Sequence, residues 1–224
     1  MNGEILQKFW IRFLNILFPT RCIACGKEGA NFCSSCRERV PQSRAFVHEG
    51  IFFLWEYRHP HVRNALLALK YKNKKMIAVD IAESLHDAIF EYLAEKSLFL
   101  NPVISGTYAV IPVPLSKQRF KKRGYNQSEL LAKELSRKNL LSFTLETDVL
   151  YKIKDTKTQV SVRDRAERLQ NILGAFAVKN PENIMGKTII LIDDVTTTGA
   201  TLAEARRVLL KAGARMVYGV TVAH

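Results

Sequence analysis

The second half of the chain alternates short apolar runs with segments of helical spacing. The runs "YAVIPVP", "GAFAV", "TIILIDDV" and "RMVYGVTVA" are rich in strand-forming residues. Between them, "NQSELLAKELSRK" and "ATLAEARRVLLKAG" repeat apolar residues with a helical period, and Asn126 or Ser128 is the expected cap of the first helix. Apolar runs without alternation, separated by helices, predict an α/β fold in which helices cover both faces of a parallel sheet.

The first half predicts further elements. "FVHEGIFFLWEY" predicts one or two strands, while "HVRNALLALKYK" and "IAVDIAESLHDAIFEYLAEKSL" predict two helices. Apolar residues recur at helical spacing before Pro19, at Ile5, Phe9, Phe13 and Ile16 or Leu17, so we expect an amphipathic helix there. This helix is too short and too polar to span a membrane. It either packs on the rest of the protein or binds a partner or a membrane surface. Because no export signal is present, we expect a cytoplasmic protein without a transmembrane segment.

Composition narrows the class of protein. The 224 residues are 47% hydrophobic and 25% charged, which is typical of a soluble globular protein and excludes disordered and collagen-like chains. The net charge of +13 favours polyanionic partners. Residues 1–75 contribute thirteen Lys/Arg against five Asp/Glu, a net charge of +8. A second run, "KQRFKKRG" (117–124), holds five basic residues and no acid. It is either a solvated loop or a contact for phosphate or nucleic acid.

The four cysteines form a C-x2-C-x7-C-x2-C pattern. Each pair turns two thiolates toward one point, and two pairs complete a tetrahedral zinc site. A cytosolic location disfavours disulfides, so we predict a structural zinc ribbon, with an iron–sulfur cluster or redox thiols as alternatives. The expected ligands of Zn²⁺ are Cys22, Cys25, Cys33 and Cys36. Composition changes near position 40, which divides the chain into an N-terminal helix and zinc-ribbon module, 1–44, and a second domain, 45–224.

The stretch "ILIDDVTTTGAT" (190–201) carries the clearest candidate chemistry. In parallel α/β sheets, ligands bind beyond the carboxyl ends of the strands, where these polar residues follow an apolar run. Backbone N–H groups and threonine hydroxyls suit a phosphate, and Gly199 allows the main chain to approach it closely. Two carboxylates would repel a phosphate, so they must face sugar hydroxyls or Mg²⁺. The alternative is a strand end with a helix cap, for which one Ser, Thr or Asp would be enough.

This stretch resembles the phosphoribosyl-pyrophosphate (PRPP) binding motif of type I phosphoribosyltransferases. The cysteine block after "LFP", together with "LKYK", "IPVPLSKQRFKKRGYNQSELLA" and "TQVSVRDRAERLQNILGAFAV", resembles the ComF family of competence-associated phosphoribosyltransferase-like proteins. The resemblance runs from about residue 17 to residue 224. It implies a type I phosphoribosyltransferase-like parallel sheet flanked by helices in residues 45–224, preceded by a four-cysteine zinc ribbon.

The resemblance also implies roles for particular residues. Asp193 and Asp194 would contact the ribose and Mg²⁺ of bound PRPP. The loop for the 5′-phosphate would comprise Val195, Thr196, Thr197, Thr198, Gly199, Ala200 and Thr201. The pyrophosphate loop would comprise Pro114, Leu115, Ser116 and Lys117, followed by a basic loop with Arg119, Lys121, Lys122 and Arg123. A lid over residues 154–171 would contribute Gln159, Arg163, Arg165, Arg168 and Asn171. We expect no catalytic role for His224.

The function that the resemblance implies is binding of Mg-PRPP and a contribution to handling of single-stranded DNA during natural transformation. Other competence or helicase proteins are expected partners. If transfer occurs, PRPP would lose pyrophosphate through an oxocarbenium-like transition state stabilised by Mg²⁺ and cationic groups. One alternative is a catalytically silent DNA- or protein-binding module that uses PRPP as a regulatory ligand. Another is a nucleobase or amine phosphoribosyltransferase of the salvage type.

Overall fold

A computed structural model describes residues 10, 19–43, 46–48, 50–100, 108–138, 143–154 and 172–224, with only the backbone of 46–48 and 96–100. Apart from Trp10, the predicted N-terminal amphipathic helix lies outside these residues, as does most of the predicted lid. The described helices are α1 (Ser34–Glu38), α2 (Pro60–Tyr71), α3 (Ile77–Leu100), α4 (Lys117–Arg123), α5 (Gln127–Arg137) and α6 (Ala200–Lys211). The described strands are β1 (Phe46–His48), β2 (Ile51–Trp55), β3 (Tyr108–Pro112), β4 (Phe143–Leu145), β5 (Leu150–Lys152), β6 (Phe176–Val178), β7 (Thr188–Val195) and β8 (Met216–Ala223). A short 3-10 helix covers Pro181–Asn183.

The main sheet has six strands in the order β1-β2-β8-β7-β3-β4. In this order the five neighbouring strands β2, β8, β7, β3 and β4 are all parallel to one another. Among the described strands of this sheet, only β1, at the edge, is antiparallel to its neighbour β2. The interior strands are continuous apolar runs because both faces are covered, which confirms the predicted α/β class. The strand β7 lies in the middle, paired with β3 on one side and β8 on the other, so its carboxyl end is at the centre of the sheet edge.

Two separate cores cover the faces of this sheet. One contains Leu66, Leu85 and Leu131, and thereby packs α2, α3 and α5 against one face. The other contains Leu202 and Phe176, so that α6 and β6 cover the opposite face. The run "GAFAV" was expected to belong to the parallel sheet, but β6 pairs antiparallel with β5 in a separate two-stranded sheet. The expectation was wrong because a three-residue apolar run fits any half-buried ladder equally well.

The cysteine segment shares the core of the larger domain. Phe32 is fully buried, and its ring meets the ring of Trp55 edge to face, with centroids 5.8 Å apart. Asp80 in α3 accepts hydrogen bonds from the backbone N–H of Asn31 at 3.1 Å and of Phe32 at 2.8 Å. The guanidinium of the buried Arg37, in α1, lies 2.5 Å from the carboxylate of Glu83, which is also in α3. These contacts fix the ribbon on α3. The division between modules at position 44 stays a prediction.

Candidate functional site

The candidate site is built around two adjacent carboxylates at the end of β7. Asp193 pairs with Thr221 in the neighbouring strand, and Asp194 follows it before the strand ends at Val195. Asp194 is buried, whereas Asp193 is half-buried. A central strand that ends in two carboxylates places negative charge at the sheet edge where ligands of parallel α/β proteins bind.

Each carboxylate has a partner from the helical layer. The hydroxyl of Ser128, in the first turn of α5, donates to Asp193 Oδ1 at 3.0 Å, and the same oxygen accepts from the N–H of Asp194 at 2.8 Å. Lys70 Nζ, in the last turn of α2, lies 3.0 Å from Asp194 Oδ1. Lys70 and Asp194 are both largely shielded from solvent, so this ion pair is much less screened than a surface pair.

The electrostatics of the pair favour uptake of a proton or a cation. Burial is the largest cause that raises the pKa of Asp193, and the adjacent charge of Asp194 is the next. The N–H of Asp194, the ammonium of Lys70 and the hydroxyl of Ser128 oppose the rise only in part, which leaves the pKa of Asp193 at about 7. Two carboxylates in this position are suited to a divalent cation, because carboxylate oxygens are the protein ligands that Mg²⁺ prefers.

The threonine loop turns from β7 into α6. Gly199 has a φ of 74°, in the left-handed region that glycine adopts without a Cβ penalty, and α6 begins at the next residue. The hydroxyl of Thr196 accepts from the N–H of Gly199 at 3.0 Å, and that of Thr198 accepts from Ala200 at 3.4 Å. The two hydroxyls thus support the turn from β7 into α6. The loop has the donors that a phosphate needs at the start of a helix.

His224 contacts this loop. Its Nε2 lies 2.8 Å from the carbonyl oxygen of Thr197, so Nε2–H is the donor. Its ring also packs against the ring of Phe53 in a tilted arrangement, with centroids 5.0 Å apart. The backbone of His224 bonds to both Trp55 and Tyr57, which ties the end of β8 to the end of β2. His224 therefore supports the threonine loop, a structural role that its position in the sequence did not suggest.

The predicted pyrophosphate loop follows β3 at the same edge. Ser116 is buried and caps α4, accepting from the N–H of Arg119 at 3.3 Å. The basic segment after it was expected as a loop, but it forms the helix α4, which ends at Gly124 in the left-handed conformation. Ser116 and Gly124 supply the start and stop signals that make these seven residues helical. The predicted lid residues Gln159, Arg163, Arg165, Arg168 and Asn171 lie outside the described part of the chain.

The structure shows which of the two candidate residues, Asn126 or Ser128, caps α5. Asn126 is the cap, and it accepts from the N–H of Ser128 at 3.1 Å. Asn126 also donates to the carbonyl of Val113 at 3.0 Å, which ties the start of α5 to the end of β3. Because the cap is occupied by Asn126, the hydroxyl of Ser128 is available to Asp193.

The four cysteines converge as the zinc prediction requires. Their sulfur atoms all lie within 4.8 Å of one another, and the Sγ atoms of Cys25 and Cys33 are 3.8 Å apart. A tetrahedral zinc site with Zn–S bonds of about 2.3 Å has sulfur atoms about 3.8 Å apart. Gly26 has a φ of 74° and closes the first knuckle, with its N–H bonded to the carbonyl of Cys22 at 2.9 Å.

The surroundings of the thiols shift the pKa values of Cys22 and Cys36 in opposite directions. Burial raises the pKa of Cys22, but hydrogen bonds from the N–H groups of the knuckles outweigh it and bring that pKa down to about 6. Burial, followed by contacts with the other three thiols, raises the pKa of Cys36 to about 12. Without a cation the cluster cannot ionise fully. Four converging thiolates support a structural zinc site, with no coordination position left for catalysis.

Comparison with known proteins agrees with both parts of this fold. Residues 121–224 match the family described as "Phosphoribosyl transferase domain", and residues 13–46 match the "Double zinc ribbon domain". The chain contains four cysteines, enough for one tetrahedral zinc ion. The parallel sheet and the strand-end loop therefore define a type I phosphoribosyltransferase-like domain preceded by a zinc ribbon.

Three curated relatives specify the family. Competence protein F of Haemophilus influenzae is 32% identical over 86% of this chain and 79% of its own length. DNA utilization protein YhgH of Escherichia coli O157:H7 is 37% identical over 88% of this chain and 81% of its own length. Competence protein ComFC of Bacillus subtilis is 40% identical over 47% of this chain and 40% of its own length. The chain belongs to the ComF family of competence and DNA-utilization proteins, which confirms the resemblance seen in its motifs.

Sequence reasoning missed Lys70, Ser128 and His224. Lys70 and Ser128 were inside quoted motifs, yet both contacts join residues far apart in the chain. Only the fold brings them to β7.

In the helices that the structure describes, none is long and apolar enough to cross a membrane.

The zinc site predicts a specific metal content. We expect purified protein to carry about one zinc ion per chain, bound by four thiolates. Elemental analysis gives the metal, and counting of thiols before and after treatment with a strong chelator gives the ligands. Protection of all four thiols until the zinc is removed is the expected result. Stoichiometric iron, or four reactive thiols in the untreated protein, would contradict it.

The raised pKa of Asp193 predicts a pH-dependent stability. The pKa in the folded state, about 7, lies above the value of about 4 for an unfolded Asp. The contribution of Asp193 to stability is therefore fully present below about pH 4 and is lost as the pH rises through 7. We expect Asp193→Asn to gain on the order of 1–2 kcal/mol in unfolding free energy relative to wild type between pH 5 and pH 8. Denaturant titrations of both proteins over this range measure it. A difference that does not change with pH would exclude the raised pKa.

Proposed function

We propose that this protein binds Mg-PRPP at the carboxyl end of β7 and contributes to handling of single-stranded DNA in natural transformation. The observation that carries the proposal is the pair of shielded carboxylates, Asp193 and Asp194, followed by the threonine loop at the start of α6. Carboxylates that sugar hydroxyls and Mg²⁺ can bind lie next to donors suited to a phosphate. A phosphorylated sugar with a bound divalent cation combines these groups in one ligand.

The basic groups at the same edge suit the pyrophosphate of this ligand. Lys117 and Arg119 follow β3, and Lys70 lies against Asp194. A group with several negative charges needs cations on its other side if two carboxylates hold the ribose. Mg²⁺ would be shared between PRPP and the protein, since it keeps water and substrate oxygens among its ligands. In this proposal Asp193 and Asp194 orient the sugar, and the cations stabilise the charge of pyrophosphate.

The DNA part of the proposal rests on the net charge of the chain and on its similarity to known proteins. The net charge of +13 and the acid-free run 117–124 favour a polyanionic partner. The relatives are named for competence and DNA utilization. Handling of single-stranded DNA after uptake would take place in the cytoplasm, where free thiols keep zinc rather than form disulfides. Other competence or helicase proteins are the partners that we propose for this step.

The PRPP site predicts a defined loss of binding in carboxylate variants. We expect wild type to bind Mg-PRPP in calorimetric titrations, and Asp193→Asn and Asp194→Asn each to bind at least about tenfold more weakly, because each loses a charged contact. Glu182→Gln is the matched control, since this exposed acid lies before β7 at the opposite edge of the sheet. Undetectable binding by wild type, or equal affinity in all variants, would contradict the site.

The same protein then separates transfer from regulation. Mg-PRPP is incubated with a panel of purine, pyrimidine and amine acceptors while pyrophosphate is measured. Release that requires an acceptor identifies a transferase: the bond between C1 of the ribose and pyrophosphate breaks, and the acceptor forms the new bond at C1. Binding without release by any acceptor favours PRPP as a regulatory ligand.

A further inference from the structure

Two basic segments that are distant in sequence meet beside the carboxylate pair. Residues 70–76, "KYKNKKM", and 117–125, "KQRFKKRGY", together contain nine Lys/Arg and no acid. The first comprises the end of α2 and the turn after it, and the second comprises α4 and its cap. Neither segment alone shows an unusual site, but their combination gives one concentrated positive surface.

Specific contacts hold the two segments together. The hydroxyl of Tyr125 donates to the carbonyl of Leu69. The guanidinium of Arg123 lies over the ring of Tyr71, 5.4 Å from its centroid. The ammonium of Lys75 lies over the ring of Tyr125, 4.7 Å from its centroid. Each segment therefore supplies a ring to a cation of the other.

The surface also exposes apolar side chains that a solvated loop would not need. Tyr71 and Met76 are each 62% exposed, and Phe120 is 50% exposed. They are three of the eight large hydrophobic residues exposed in the described part of the chain. A ring whose one face is covered by a guanidinium offers its other face to a planar group. Exposed rings among cations are the arrangement with which proteins bind single-stranded nucleic acid, since bases stack on rings and phosphates contact cations.

We propose that Tyr71 and Tyr125 with the cations of both segments, here called the Tyr71 platform, bind single-stranded DNA by stacking a base on Tyr71. This inference deepens the DNA part of the proposed function and rests on it. Binding of pyrophosphate alone would use the cations but not the exposed rings. An acidic protein would also use the cations, but exposed rings beside cations fit a polymer that carries bases as well as phosphates. The platform borders the carboxylate pair, because Lys70, which contacts Asp194, precedes Tyr71 directly.

The stacking contact is tested with an oligo(dT) of about 20 nucleotides. Fluorescence anisotropy is measured for this probe and for an abasic strand with the same number of phosphates, between about 50 and 200 mM salt. We expect Tyr71→Ala to weaken binding of oligo(dT) about tenfold at every salt concentration, with an unchanged slope of log affinity against log salt. Tyr71→Phe keeps the ring and should keep the affinity. Met185→Ala removes an equally exposed apolar side chain outside the platform and is the control.

The phosphate contacts have a different signature. Lys75→Gln and Lys122→Gln each remove an exposed cation of the platform, and each should reduce the magnitude of the salt slope by about one. Lys211→Gln, at the far end of α6, removes an equivalent charge from the opposite edge of the sheet and should leave the slope unchanged. Two results together support the platform. The lysine variants should show a smaller slope of log affinity against log salt, whereas Tyr71→Ala should lose affinity without a change in that slope.

The outcomes separate this inference from the proposed function. If wild type binds Mg-PRPP but no oligo(dT), the DNA part of the proposed function fails, and the platform fails with it. If wild type binds oligo(dT) and Tyr71→Ala binds it equally well, only the platform is overturned. Equal affinity of wild type for the abasic strand also overturns stacking. A polyglutamate of matched charge that displaces oligo(dT) as well as unlabelled DNA does would indicate an acidic protein partner instead.

Discussion

The repulsion between two adjacent carboxylates at the end of the central strand is the constraint around which this protein is built. Asp193 and Asp194 need a proton, a cation or hydrogen-bond donors. The fold supplies Ser128 from α5 and Lys70 from α2. Lys70 reaches Asp194 from the last turn of α2, a helix that packs against one face of the sheet. The basic platform next to the site follows from the same arrangement.

The zinc ribbon contributes to this arrangement through packing. Asp80 and Arg37 join the ribbon to α3, and Phe32 enters the core beside Trp55. Burial raises the pKa of Asp80, against the donors and the guanidinium that lower it. A carboxylate placed there is costly unless the N–H groups of Asn31 and Phe32 stay in position. Because α2 and α3 share one core with the cysteines, a zinc ion bound by these cysteines would stabilise the same helical layer that carries Lys70.

Local patterns in the sequence predicted the parts of this structure that depend on neighbours in the chain. The cysteine spacing specified a convergent site, and "ILIDDVTTTGAT" specified a strand end, a turn and a helix start, because all three signals are local. Lys70 and Ser128 were missed because their roles depend on how α2 and α5 pack against β7. The helix α4 was mistaken for a loop because charge dominated the pattern, although Ser116 and Gly124 were readable signals for its ends. The pairing of β6 with β5 was missed because short strands specify their partners weakly.

A crystal structure of the protein with Mg-PRPP tests the central claim most directly, because it measures one distance that the claim requires to change. Lys70 Nζ is now 3.0 Å from Asp194 Oδ1. We predict that the ribose and Mg²⁺ will occupy the carboxylate pair, that the 5′-phosphate will lie against residues 196–201, and that Lys70 Nζ will leave hydrogen-bond distance of Asp194. PRPP bound elsewhere, with the contact between Lys70 and Asp194 unchanged, would contradict the account.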